Sequence, residues 1–563
     1  MRTAHAPTLR GAATGWRGLA LLLVLCLASL LGACGDKKPP TTANAPAAPA
    51  APAPSTQPLT VLAGSELKDL EPLLPHIEQV TGLQLKLSYV GTLDGVERLA
   101  NPSANGAAAA DTAWFASNRY ALLTPGVKER VLQSERTMIT PVVLGIKQSK
   151  ARSLGWLAAD GSSRADLSWK DIALAAEQGR FSFAMSSPSA SNTGFAALMG
   201  LAAALAGKGD ALEVADIRAP QLRAFFKAQT LTAGSSGWLA AAFVQEQGRI
   251  DGLINYGSVI HGLNASGQLS EPLVLIYPQD GIVSADYPLM LLNPTRRADY
   301  DKLLAYVRSP AFQQAMTAQT HRKPINPEVA FEPKLYPSNL VELPFPARLQ
   351  VVDAILEAYD NSLRRPADST FVLDISGSMG GERIAQLKTA LTGLTGLDTS
   401  LSGRYSRLRE REHLSMVAFD NQVRPAVQFQ FDPAQRAAAE TQVRNYIASL
   451  QAQGGTALYS AAQAAYQQAA ARRAQDGGRD GGRYYSLVLL TDGQNNNGLD
   501  AAQFTQWYQS LPPAQQGIRI FAVQFGEARA DELEALARLT GGRVFNATRT
   551  PLAQVFKEIR GYQ

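Results

Sequence analysis

The stretch Asp374-Ile375-Ser376-Gly377-Ser378 constrains the fold of this chain more than any other. It stands directly behind the apolar run Phe371-Val372-Leu373, which reads as a buried strand, and before residues 382–397, which read as a helix. An Asp and two Ser at alternate positions, at the end of such a strand, aim three oxygens into one crevice. Ligand crevices of open parallel sheets lie at the carboxyl ends of the strands. Oxygen donors of this kind suit a hard cation such as Mg²⁺, which demands near-octahedral geometry and keeps several waters.

Two later segments extend the pattern. Gly454-Gly455-Thr456 opens an Ala-rich helix near residues 457–473, so Thr456 is a helix-start hydroxyl, either a cap or a metal ligand. Residues 486–493 (SLVLLTDG) form an apolar strand ending in an acid and a Gly turn, which puts Asp492 on the same sheet edge as Asp374. This order resembles the von Willebrand factor A domain and its metal-ion-dependent adhesion site. The resemblance implies a site made of Asp374, Ser376, Ser378, Thr456 and Asp492. It implies that the hydroxyls coordinate directly or through water and that the acids act mostly through water. One position stays open for an Asp or Glu of a protein partner. The implied cofactor is Mg²⁺, or another divalent cation such as Mn²⁺ or Ca²⁺. The D-x-S-x-S fragment alone also fits a helix-capping turn without metal; the two further segments tip the reading toward metal. Asp500 and Asp531 read as helix caps or first-turn acids, and Asp420 as a turn residue.

The beginning of the sequence speaks to location. Arg2, Arg10 and Arg17 precede the apolar run of residues 19–31, too short to span a bilayer, and Leu31-Gly32-Ala33-Cys34 follows. Residues 1–33 read as a secretory leader, with an uncleaved anchor or an ordinary leader as the competing readings. The Leu-Gly-Ala-Cys ending resembles the lipobox of bacterial lipoproteins, which implies lipidation at Cys34. Cys26 and Cys34 are the two cysteines, so a chain cleaved before Cys34 keeps one thiol and forms no internal disulfide. Several acyl chains suffice for stable anchoring. The expected location is the cell envelope, lipid-anchored and facing the periplasm or exterior. The lipoprotein resemblance further implies, from Gly35 after the Cys and Asp36 only one place later, the outer membrane where the envelope has two.

Residues 34–57 carry that Cys and a Pro/Ala-rich tether, extended enough to span roughly 60 Å at about 3.1 Å per residue. The whole chain bears 53 basic and 48 acidic residues; without the three leader arginines the numbers are 50 and 48. Such a balance gives no case for nucleic acid.

The remaining length calls for at least two domains. Residues 368–563 alternate strands (370–374, 414–419, 484–491, 518–525, 543–545) with helices, as in a doubly wound, mostly parallel sheet. Residues 423–429 fit an antiparallel edge, where Pro425 is tolerated. Residues 343–367 read as a helical linker. Residues 58–342 form a different α/β unit, with strands near 59–63, 85–90, 110–115, 142–147, 181–185, 253–256, 273–277 and 287–292. That layout resembles a type II periplasmic solute-binding protein. The fold class is thus α/β: a two-lobed type II solute-binding-like domain followed by a von Willebrand factor A domain. Candidate ligand groups sit after strands and at a helix start: Ser65, Thr92, Ser191, Asn192, Thr193 and Tyr256. Clustered hydroxyls and amides at a helix start suit an oxyanion, though capping explains Ser191, Asn192 and Thr193 equally well. Tyr287 reads as packing.

None of the five His forms a zinc-like pair, and neither a nucleophile elbow nor a phosphate loop occurs. The expectation is a binding protein and not an enzyme. It is an envelope protein whose Mg²⁺-dependent site recruits a protein partner while the first domain senses a small ligand or docks. The alternative is a solute receptor of a transport system whose A-type domain docks it to membrane machinery.

Overall fold

The computed structural model describes residues 57–102, 109–333, 335–337, 340–477 and 482–563. The leader at 1–33, lipidation at Cys34 and all of the tether before Gln57 lie outside these residues.

The first module has two sheets. The five-stranded one runs Leu85–Val90, Leu59–Gly64, Thr112–Trp114, Leu289–Leu291, Gln133–Glu135. Its first three strands are mutually parallel, and Leu289–Leu291 runs against both neighbours. The seven-stranded sheet is built on the long strand Met138–Lys147, which pairs antiparallel with Gly252–Tyr256 and Leu273–Ile276. The chain crosses between sheets three times, after Glu135, after Ala285 and again before Lys323–Pro324, which pairs with Met138–Lys147, so each lobe contains non-contiguous sequence. At the return crossing Tyr287 takes φ +45°, a strained value for a bulky residue. Its carbonyl is held there by the Thr137 hydroxyl (2.6 Å) and the Trp114 indole N–H (3.2 Å).

The second module is a six-stranded sheet in the order Val427–Gln430, His413–Phe419, Ala367–Asp374, Tyr484–Thr491, Arg519–Gln524, Arg543–Asn546. All pairs are parallel except the edge strand Val427–Gln430. Every residue of the central Ala367–Asp374 is buried, because helices cover both faces. Alternate side chains feed two cores: Phe371 and Leu373 join one, Val372 the other.

The linker region holds helix Leu349–Ala358, which continues into a wider turn at Tyr359–Leu363. Its Asp353 accepts from Tyr120 of the first module (2.9 Å) and Tyr405 of the second (3.2 Å). The modules also share apolar core: Leu231, Leu239, Phe243 and Leu253 cluster with Phe371, Phe521, Phe556 and Tyr562. A buried ionic knot reinforces the junction. Glu412 accepts from Arg364 (2.6 Å), near the end of the linker region, and from Arg560 (2.6 and 2.8 Å) on helix Leu552–Arg560.

Candidate metal and solute sites

Asp374 ends the central strand, and the parallel ladder brings Thr491 and Asp492 alongside it from the next strand. The Asp374 Oδ1 accepts from the Ser376 backbone N–H (2.8 Å), and Oδ2 from the Thr491 hydroxyl (2.6 Å). Ser376 and Ser378 hydroxyls meet at 3.0 Å, and Ser378 donates to Asp492 Oδ1 (2.8 Å). Thr456 arrives from the Gly454-Gly455 loop. The Ser378 and Thr456 hydroxyls each lie 3.6 Å from where a Cβ on Gly493 would stand, so a side chain there would enter the space they line. The structure thus gathers Asp374, Ser376, Ser378, Thr456 and Asp492 at one end of one sheet.

Both carboxylates are almost wholly buried. Burial above all holds the Asp374 carboxyl over its usual range, against the donors Ser376 and Thr491, and the charge of Asp492 adds to the effect. Arg383, on helix Glu382–Thr392, answers the second carboxylate by donating to Asp492 Oδ2 (2.6 Å). One of the two buried acids thus has a guanidinium partner, while Asp374 is held by hydroxyl and amide donors alone. That all-oxygen set fits a hard divalent cation held by few charged ligands. Among the described residues no group of three or more His, Cys, Asp or Glu converges, so the site's oxygens come mainly from hydroxyls.

Several supporting residues were not singled out in the sequence. Asn496 Oδ1 accepts from the Thr456 N–H (2.7 Å), and the amides of Asn496 and Asn497 return to the Thr456 carbonyl (3.0 and 3.2 Å). Thr456 does not cap the following helix, whose flanking residue is Ala457. Asp420 does turn the chain, accepting from the Gln422 N–H (2.8 Å), and its carbonyl takes the Ala457 N–H (2.8 Å). Asp420 thereby braces the Thr456 loop. Only the polar run Gln494-Asn495-Asn496-Asn497 hinted at such a role for the asparagines. Asp500 is a helix cap with a reciprocal Gln503 bond, and Asp531 sits in a first helical turn.

In the first module, Ser191 and Thr193 hydroxyls face one another (3.1 Å), and Thr193 also meets Ser186 (2.6 Å). The free amide of Gly194 is taken by Ser186 Oγ (2.9 Å), so a strand residue caps the helix Asn192–Ala206. Asn192 donates to the buried Tyr256 hydroxyl (3.3 Å). Thr92 and Asn192 line a space of only about 20 Å³ between the lobes, room for about one water. The lobes touch beside it: the Thr92 N–H points to the Ala190 carbonyl (3.4 Å), and a Cβ on Gly91 would meet that oxygen at 2.7 Å. Ser65 lines the adjoining larger cavity of about 840 Å³, which both lobes and the A-type domain enclose.

No helix among the described residues is long and apolar enough to cross a membrane. Residues 368–558 match the family model of the von Willebrand factor type A domain, and residues 59–319 that of a bacterial extracellular solute-binding protein. An uncharacterized protein of Synechocystis sp. is 33% identical over 148 residues, which are 25% of this chain and 29% of that relative, so the chain spans less than a third of its length. Among solved structures, the periplasmic binding protein AfuA from Actinobacillus pleuropneumoniae is 13% identical and covers 55% of this chain and 99% of its own, with a TM-score of 0.41. A ferric binding protein from Campylobacter jejuni (15% identity, 53% and 96% covered) scores 0.39. The sulfate-binding protein SubI from Mycobacterium tuberculosis (17%, 52% and 92%) scores 0.37. The family matches, with the sheet orders described above, show that this chain joins a bacterial extracellular solute-binding domain to a von Willebrand factor type A domain.

Proposed function

We propose that the protein is a lipid-anchored envelope binding protein, tethered through Cys34, in which a divalent cation at the A-type site recruits a protein partner. The reading is supported chiefly by one observation: two buried carboxylates and three hydroxyls converge at the carboxyl edge of the second sheet, with Ser378 bridging Ser376 and Asp492. Asp374, Ser376, Ser378, Thr456 and Asp492 would hold Mg²⁺, and the bound ion supplies an electrophilic position for an Asp or Glu of the partner. The protein's own groups orient the site. Thr491 and the Ser376 amide fix Asp374, and Asn496 fixes the Thr456 loop. The first domain supplies a small-ligand function, and the protein binds without catalysing. Capture of proteins from detergent-solubilised membranes, with and without Mg²⁺, tests the reading. Asp374→Ala should abolish the Mg²⁺-dependent fraction while circular dichroism stays native-like. Capture undiminished in excess chelator would sink it.

A further inference from the structure

The ligand-sized space of this protein is closed by three walls and not two. Beside the narrow gap of about 20 Å³, about 840 Å³ opens between the lobes, with Ser189 and Gly234–Trp238 of the second lobe in its lining, and the A-type domain closes its mouth. The larger volume lies in the range of small-molecule sites. Ser65, Glu66, Asp69, Tyr89 and Arg322 line one side, and Ser402, Tyr405, Arg543, Lys557 and Tyr562 line the other. The two sides are physically locked together. Gly561 and Tyr562 of the A-type domain press on Gly234 and Ala190 of the first module, so closely that a Cβ on Gly234 would stand 2.3 Å from the Tyr562 ring. Trp238 meets that ring edge-on at 5.0 Å, and Gln554 donates to Asp94 (3.2 Å).

The two walls differ in charge. The lobe wall carries Glu66, Asp69 and Asp94 against Lys68 and Arg322; the A-type wall carries Arg543, Lys557 and Arg560 against Glu558. Arg322 is spent on Asp69 (2.8 Å) and the Glu66 carbonyl (3.1 Å), and Arg560 on Glu412. Glu66 has no ion pair of its own among the described residues. Burial foremost raises its carboxyl from the ordinary range, against the backbone amides and the Arg322 charge. Across the cavity, Arg543 reaches Glu558 only at 3.6 Å, and Lys557 holds Asp398 (2.6 Å) with Ser402 (2.9 Å). A purely anionic or cationic ligand would leave one wall facing its own sign.

We infer that this composite cavity binds a zwitterionic solute of short-peptide size, its ammonium facing Glu66 and its carboxylate facing Lys557 and Arg543. The inference rests on the small-ligand role proposed for the first domain and makes the A-type domain a wall of that domain's site. Occupancy and seating of the A-type domain are then thermodynamically linked.

The experiment uses the full chain and four probes: tetra-alanine with free ends, the same peptide acetylated and amidated, inorganic phosphate, and glucose, each followed by calorimetric titration and thermal shift. Free tetra-alanine should bind and the capped peptide should not. Glu66→Gln and Lys557→Gln should each weaken binding by about tenfold or more. Arg543→Gln, at a half-exposed position, provides a second test of the A-type wall if Lys557→Gln melts early. Equal binding of free and capped peptide would overturn the zwitterion. Peptide binding lost in Glu66→Gln but untouched by Lys557→Gln and Arg543→Gln would overturn the composite wall and leave the first domain's ligand role standing. A response to phosphate or glucose alone would do the same for the ligand class. Silence toward every probe would overturn the ligand role itself.

Discussion

Three of the five residues at the A-type site, Asp374, Ser376 and Ser378, lie within one short turn, and each of the other two ends or opens a recognisable element. The cavity next to the same domain takes its lining from positions as distant as Ser65 and Tyr562. One site is local chemistry placed by a regular sheet; the other exists only because two independently patterned modules press together. The contrast teaches where each is fragile. The first depends on a few oxygens at the edge of a sheet that has its own core. The second depends on the junction, and whatever loosens the junction should erase it.

The largest effect should come from the ionic knot. Glu412→Gln leaves Arg364 and Arg560 buried without their counter-charge, and should cost about 3–5 kcal/mol of stability in denaturant titration. The knot also sets an acid limit. Burial opposes ionisation of Glu412, but Arg560 and then Arg364 overcome it and pull the carboxyl from 4.5 down to about 2. Because the folded value lies below the unfolded one, the stabilisation is complete above about pH 5 and drains away as the pH falls toward 2. Glu412→Gln should flatten that part of the stability–pH curve; an unchanged slope would place the acid sensitivity elsewhere. The A-type site should be silent here, with Mg²⁺ response at neutral pH retained wherever the variant is folded.

Next in size is the metal response. At a hundredfold excess over its dissociation constant, Mg²⁺ should stabilise the wild type by about 2.7 kcal/mol, and Asp374→Ala should remove all of it. A thermal shift that survives in Asp374→Ala would break the assignment of the local site.

Overpacking the junction comes third. Gly234→Ala pushes a methyl into the Tyr562 ring, which Trp238, Phe521 and Phe545 already hem in. A cost of about 1–3 kcal/mol is expected, relieved in the double variant with Tyr562→Ala. Additive losses in that pair would mean the two residues do not meet in solution.

The smallest effect separates the acids of the A-type domain. Asp500→Ala removes a cap that accepts from the Gln503 N–H (2.8 Å) and should cost about 1 kcal/mol with the Mg²⁺ response intact. A lost Mg²⁺ response would draw Asp500 into the site.

Residues 370–374 were legible as a strand because the apolar run Phe371-Val372-Leu373 has few other fates, and Asp374 as its polar end because buried carboxylates need partners; the strand's start at Ala367 was hidden by the polar Asp368-Ser369-Thr370. The alternation of strands and helices likewise announced a doubly wound sheet, and Pro425 pointed to the edge at which Val427–Gln430 pairs antiparallel. The Ser187–Gly194 stretch was ambiguous for a physical reason. Hydroxyls near a helix start serve capping and anion binding alike, and only coordinates show that Ser186 takes the Gly194 amide while Ser191 and Thr193 engage each other.

The sequence by itself determined most of the elements, their order and the oxygen-rich chemistry at 374–378, since these follow from period, propensity and residue type over short spans; the strands Gln133–Glu135, Gln229–Ala233 and Val283–Ala285 were not read from it. Tertiary structure alone decided that Arg383 would answer Asp492, that the A-type domain would wall the cavity between the lobes, and that Tyr562 would seat on Gly234. Those outcomes turn on side chains hundreds of residues apart finding complementary shape and charge. No local pattern encodes such a meeting, because its energy arises only when both surfaces are already folded.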